Sequence, residues 1–181
     1  MKAGSTEYQV HNYMEDIVKE ILQKLIKKET DICTCTHCLA DMTASALNTV
    51  TPKYETSGPD MSQLDEDALY EVMSKVYAAM VRVSKNPRHD QNTFDPEAVH
   101  LYNLSEVLVN NVLSETLASD TSGPTDSEYL AKIASICLNE VKPRYALTRK
   151  GVSFQRLAQL EHQHLPDLLV IIHNAIKAVS K

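Results

Sequence analysis

Three thiols fall within six residues, in the run Cys33-Thr34-Cys35-Thr36-His37-Cys38. Thiolates are strong zinc ligands, and a short loop can present several of them to one ion. The spacing predicts a structural zinc site built on Cys33, Cys35 and Cys38. A closed site needs four donors. His37, Asp41, His11, Cys137 and a residue of another subunit are the candidates for the fourth. The competing reading is a set of reduced thiols without metal. A redox pair is disfavoured, because no βαβ pattern surrounds the Cys-x-x-Cys. Cys137 sits on an apolar helical stripe and reads as a core thiol.

A second group of residues could hold phosphate. From Val141 to Leu160 the chain carries Lys142, Arg144, Arg149, Lys150 and Arg156 and no acid. Arginine forks match phosphate oxygens, and Tyr145 could stack on a base. Read alone, the stretch equally fits a solvated basic face in an acidic chain. Residues for covalent or acid–base catalysis do not recur in any pairing, so an enzyme is not expected.

The elements that position these residues emerge from a repeat. Displaced by 91 residues, Asn12, Glu15, Val18 and Leu22 fall on Asn103, Glu106, Val109 and Leu113. From Leu39 to Tyr54, seven of sixteen positions are identical to their counterparts, including Asn48 with Asn139, Pro52 with Pro143, and Tyr54 with Tyr145. One offset holds through two helices and their connection, so the chain is a duplication. Apolar residues recur at helical spacing. The first helix carries Ile17, Val18, Ile21, Leu22 and Leu25, answered by Leu108, Val109, Val112, Leu113 and Leu117. The second carries Leu39, Met42, Ala46, Leu47 and Val50, answered by Leu130, Ile133, Cys137, Leu138 and Val141, and is expected to end at Pro52 and Pro143. A third carries Leu69, Val72, Met73, Val76, Met80 and Val83. Its counterpart runs through Leu157, Leu160, Leu168, Leu169, Ile172, Ile176 and Val179. Asn12 with Glu15, Asn103 with Glu106, and Thr125 with Glu128 have the spacing of capping boxes. Strand signals are absent.

The expected fold is therefore all-α. It comprises two tandem modules of three to four helices, at residues 7–84 and 98–181, joined by a linker at 85–97. Apolar residues make up 43% of the 181-residue chain, enough for one sizeable core or two small ones. With Trp absent and Phe only at Phe94 and Phe154, aliphatic residues must fill the interior. Four glycines argue against a Gly-rich dinucleotide loop. The net charge of −6 disfavours a direct grip on DNA or on an anionic membrane. No apolar run approaches the roughly 18 residues of a membrane span, and no leader-type stretch opens the chain. A cytoplasmic location is expected.

Three motifs carry a family resemblance. They are Val10-His11-Asn12-Tyr13-Met14-Glu15-Asp16-Ile17-Val18, Cys33-x-Cys35-x-x-Cys38, and Ala46-Leu47-Asn48-x-Val50-x-Pro52-x-Tyr54. In that order they resemble the late competence development family ComFB, over about residues 8–57. Copy two keeps the first and third motifs, with Leu138-Asn139-x-Val141-x-Pro143-x-Tyr145 continuing to Gly151. It places Pro124, Asp126 and Tyr129 where copy one has its cysteines. Thr51 and Lys142 replace a second proline of the family segment.

The resemblance implies a small helical protein that dimerises, with zinc in Cys-bearing members and cyclic-dinucleotide binding in cyanobacterial relatives. Two functions follow as expectations. One is a non-enzymatic receptor for a cyclic dinucleotide (c-di-GMP or c-di-AMP) that signals to a protein partner. It would use Lys142, Arg144, Tyr145, Arg149 and Lys150 as the ligand site, leaning on copy two because Lys53 of copy one sits among acids. The other is a zinc-stapled interaction module without a nucleotide. Convergent cations would mark the first, an exposed apolar patch the second. A duplicated dimeriser can pack as a pseudo-dimer within one chain, or as a homodimer, with the stripes Ile17–Leu25 and Leu108–Leu117 in near-isologous contact.

Overall fold

The computed structural model describes residues 9–55, 64–87, 99–119, 126–147 and 165–180. Copy one comprises β1 (His11–Asn12), α1 (Met14–Ile26), α2 (Thr36–Leu47), β2 (Tyr54–Glu55) and α3 (Glu66–Lys85). Copy two comprises β3 (Tyr102–Asn103), α4 (Leu104–Ser119), α5 (Ser127–Glu140), β4 (Tyr145–Ala146) and α6 (Leu165–Val179). The all-α architecture in two tandem modules is as expected. The expected Leu157 and Leu160 of the last helix lie outside the described residues.

Local chemistry accounts for the helices. In α1 the apolar stripe turns inward, Glu15 and Asp16 occupy the first turn, and Lys24 the last. That order suits the helix dipole. In α3 the Asp65 side chain accepts from the Ala68 amide at 2.7 Å, a standard N-cap. Helices α1, α2 and α3 pack on one another, and so do α4, α5 and α6. The first core holds Ile17, Val18, Leu22, Met42, Leu47, Val76 and Met80. The second holds Val109, Leu113, Ile133, Cys137, Leu138 and Ile172. The helix stripes thus each bury inside their own copy, rather than against each other as the symmetry argument expected. Each bundle of three helices needs all of its stripes to close one core.

Three further expectations are corrected. The second helices stop at Leu47 and Glu140, short of Pro52 and Pro143, since the chain must extend before each proline to reach the neighbouring copy. Leu69 and Met73 are exposed, because α3 buries only the arc of Val72, Val76, Ala79, Met80 and Val83. Two short antiparallel ladders also exist. β1 pairs with β2 through His11–Glu55 and Asn12–Tyr54, and β3 pairs with β4 through Tyr102–Ala146 and Asn103–Tyr145. Ladders of two residues need no alternating pattern, which is why the sequence conceals them. Their registers are related by the same 91-residue offset.

These ladders cross the boundary between cores. Tyr54, from copy one, is buried in the second core, where β2 packs on α5. Tyr145, from copy two, is buried in the first core, where β4 packs on α2. Each copy lends its neighbour one aromatic side chain. Burying a large side chain contributes roughly 1.5–3 kcal/mol. That is substantial for bundles of about 80 residues, a size at which one core is marginal.

Candidate functional site

The sulfur ligand atoms of Cys33, Cys35 and Cys38 lie within 4.8 Å of one another. All four cysteines are free thiols. Cys33 is exposed on the loop after α1, and Cys38 is buried in the first turn of α2. Cys35 is the N-cap of α2, with extended backbone, and its Sγ accepts from the Cys38 amide at 3.4 Å. Burial first, then the neighbouring Cys33 and Cys35, pushes the Cys38 thiol up to about 12. Binding a cation here therefore requires proton release. Three soft donors gathered this closely form a cradle that suits zinc.

No histidine or carboxylate joins this group among the described residues. His11 is engaged elsewhere, with Nε2 2.6 Å from Asp16 Oδ2. Cys137 lies fully buried in the second core, and burial pushes its thiol up to about 12. Asp126, the counterpart of Cys35, caps α5, its Oδ1 accepting from the Tyr129 amide at 2.9 Å. The cap is thus Asp126 rather than the expected Thr125. A carboxylate in copy two does the backbone work that a sulfur does in copy one.

The basic residues and the tyrosine differ in exposure. Lys142 is exposed and Arg144 half-buried, on the run entering β4. Their carbonyls are pinned to the start of α4. Ser105 Oγ donates to the Lys142 carbonyl at 3.0 Å, and the Leu104 amide donates to the Arg144 carbonyl at 2.8 Å. Tyr145 is only 2% exposed, so its ring is a core element and unavailable for stacking on a base. A buried ring with a fully bonded hydroxyl has no free face. Arg149, Lys150 and Arg156 lie outside the described residues. On the copy-one side, Lys53 Nζ is 3.6 Å from Glu55.

The matched polar residues of the repeat, read from sequence as helix caps or left without a role, form one junction. Tyr145 Oη donates to Glu15 at 2.9 Å and accepts from Asn12 and Asn103 at 2.8 and 2.9 Å. Tyr54 Oη donates to Glu106 at 3.0 Å and accepts from Asn103 at 2.7 Å. Asn48 exchanges two hydrogen bonds with the Tyr145 backbone, at 2.6 and 3.1 Å. Asn139 does the same for Tyr54, at 2.7 and 3.0 Å. Asn12 accepts from the Met14 and Lys53 amides, but Glu15 faces Tyr145 instead of completing a capping box. At the other end, Asn103 accepts from the Glu106 amide at 3.4 Å.

Burial first drives both phenols far above the ordinary tyrosine range, aided at Tyr54 by the charge of Glu106 and at Tyr145 by Tyr54 and then Glu15. Burial also raises Glu106, aided by the charge of Glu15 and opposed by the hydrogen bond from Tyr54. The identities at offset 91 carried the signal for this junction. Buried polar groups need partners, and matched polar residues across a duplication are natural candidates for the seam.

Fold and site together define a class: a duplicated three-helix module whose halves exchange a tyrosine across a pseudo-twofold junction, with a thiol cluster in one half. The family model for late competence development protein ComFB matches residues 11–87 and again 102–181. The chain belongs to the ComFB family, as two tandem copies. No curated protein and no solved structure matched it. No described helix is long and apolar enough to cross a membrane.

Proposed function

We propose that this chain is a non-enzymatic regulatory module of the competence type, in which one zinc ion on Cys33, Cys35 and Cys38 staples copy one and the protein surface engages a protein partner. The convergence of three sulfurs within 4.8 Å carries the reading. The ion would tie the loop after α1 to the first turn of α2, which a small core leaves weakly held. An exposed apolar face on α3, where Leu69, Tyr70, Met73 and Tyr77 stand in solvent, supports the interaction role. Elemental analysis of protein purified without added metal tests the staple. One zinc per chain is expected, falling towards zero in Cys35→Ser with a lower melting temperature. A stoichiometry near zero or near two in the unmodified chain would overturn it.

Lys142 and Arg144 favour a second reading, a receptor for a cyclic dinucleotide, with Arg149 and Lys150 following in sequence. The burial of Tyr145 leaves this site without its stacking group, so phosphate contacts would have to hold the ligand. Calorimetric titration with c-di-GMP and c-di-AMP tests it. Binding that Arg144→Ala weakens by roughly 1.5–3 kcal/mol, the scale of a charged hydrogen bond, and that Lys53→Ala leaves nearly intact, would establish it. No binding of either nucleotide leaves the interaction module.

A further inference from the structure

Exposed large apolar side chains among the described residues are not scattered evenly. Val107, Ile136 and Val170 occur singly on α4, α5 and α6, whereas Leu69, Tyr70, Met73 and Tyr77 share α3. At about 100° per residue, those four fall within roughly one third of the helix circumference. Tyr70 is 76% exposed and Tyr77 50%. Copy two lacks the two tyrosines. Its α6 repeats the buried residues of α3 at a spacing of 96, with Leu168, Ile172, Ala175 and Val179 answering Val72, Val76, Ala79 and Val83. At the positions of Tyr70 and Tyr77 it has Pro166 and His173. The aromatic face is therefore not something the fold requires.

We propose that this face docks a second copy of the same chain, α3 against α3 in antiparallel sense. The proposal rests on the interaction-module reading and names its partner. Charge selects both occupant and direction. Glu66 and Asp67 fill the first turn of α3, and Arg82 and Lys85 the last. Antiparallel pairing sets the acidic end of each helix against the basic end of the other, whereas a parallel pairing opposes like charges. Pairing the helix about its own midpoint brings Glu66 opposite Lys85, Tyr70 opposite Val81, Met73 opposite Ala78 and Tyr77 opposite Ser74. At Tyr70, Met73 and Tyr77 a large side chain then meets a smaller one, as close helix packing favours. The contact is isologous and closes at two chains.

Sedimentation across a concentration series tests this on the full chain, with zinc content and thermal melting recorded for every variant. The unmodified chain is expected to reach twice the chain mass. Tyr70→Glu, at a side chain already in solvent, is expected to leave it monomeric with unchanged zinc content. Glu66→Lys alone and Lys85→Glu alone are each expected to weaken self-association several-fold. An equimolar mixture of the two restores it, because each chain then opposes unlike charges at both ends. An unmodified chain that stays monomeric overturns the proposal, and so does a dimer indifferent to Tyr70→Glu or a mixture no tighter than its components. A monomer with one zinc per chain would leave the staple standing. Saturable nucleotide binding by a monomer would overturn the interaction-module reading as well.

Discussion

Copy one and copy two solve the same structural problem at the start of their second helices with different chemistry. In copy one the cap is the sulfur of Cys35, which belongs to a cluster of three thiols. In copy two it is the carboxylate of Asp126. The backbone cannot distinguish them, since each satisfies the amide three residues on. The difference lies in what else the group can do. A carboxylate cap is complete in itself, whereas a thiol cap can also join a metal site. At the junction the copies are nearly equivalent, with Asn48 and Tyr145 mirrored by Asn139 and Tyr54. The cap and the outer face of the third helix are thus two places where the copies differ, while the junction keeps them alike.

This contrast can be broken at graded cost. The largest effect is expected from emptying an exchanged pocket. Tyr145→Ala should lose about 3–5 kcal/mol, the range for truncating a large aromatic in a core, and Tyr54→Ala a similar amount by denaturant unfolding. A marked inequality would show that the two pockets are not equivalent. Next come Asn48→Ala and Asn139→Ala. Each strands an amide and a carbonyl of the opposite tyrosine, and each should cost about 1–3 kcal/mol. Asp126→Ala removes a cap alone and should cost about 1 kcal/mol, with metal content unchanged. Cys35→Ala, the matching change in copy one, should remove the same cap together with the proposed zinc.

The smallest effect concerns Glu106. Its folded-state pKa is raised by burial, so protonation favours the folded state. The corresponding stability is fully present below the ordinary carboxyl range and is lost as pH rises through the raised value. Glu106→Gln should flatten this acid-side dependence and leave the melting temperature at neutral pH equal or slightly higher. A clear loss at neutral pH would mean that the charge-assisted bond from Tyr54 outweighs burial.

Much of this molecule could be read from its sequence because helix periodicity and the 91-residue offset report local and repeated features. The stripes of α1, α2, α4 and α5 lie where the spacing of Ile17, Val18 and Ile21, or of Leu130, Ile133 and Cys137, puts them. The convergence of Cys33, Cys35 and Cys38 was legible from spacing alone, since six consecutive residues can hardly keep them apart. The exchange of Tyr54 and Tyr145 was not. Whether a tyrosine after a proline packs on its own bundle or on the neighbouring one depends on contacts across 85 to 133 residues of chain. No local pattern encodes that choice. The same blindness allowed Tyr145 to be read as a stacking group beside Lys142 and Arg144. The solvent face of α3 was misjudged for a related reason. Leu69 and Met73 sit next to the buried arc, and periodicity cannot say how wide that arc is.

The exchanged tyrosines also bear on how such a protein can change. In a homodimer one substitution in the gene strikes both halves of the junction at once, so a loss at Tyr145 would be doubled. Here the two halves are written separately in one chain, and a substitution strikes once. The unaltered half continues to hold its partner while the other is remodelled. Selection can then try a thiol cluster in one copy and a carboxylate in the other, or aromatic side chains on one third helix and none on its twin. Joining the halves into a single reading frame thus turns a symmetric scaffold into one that can afford asymmetry.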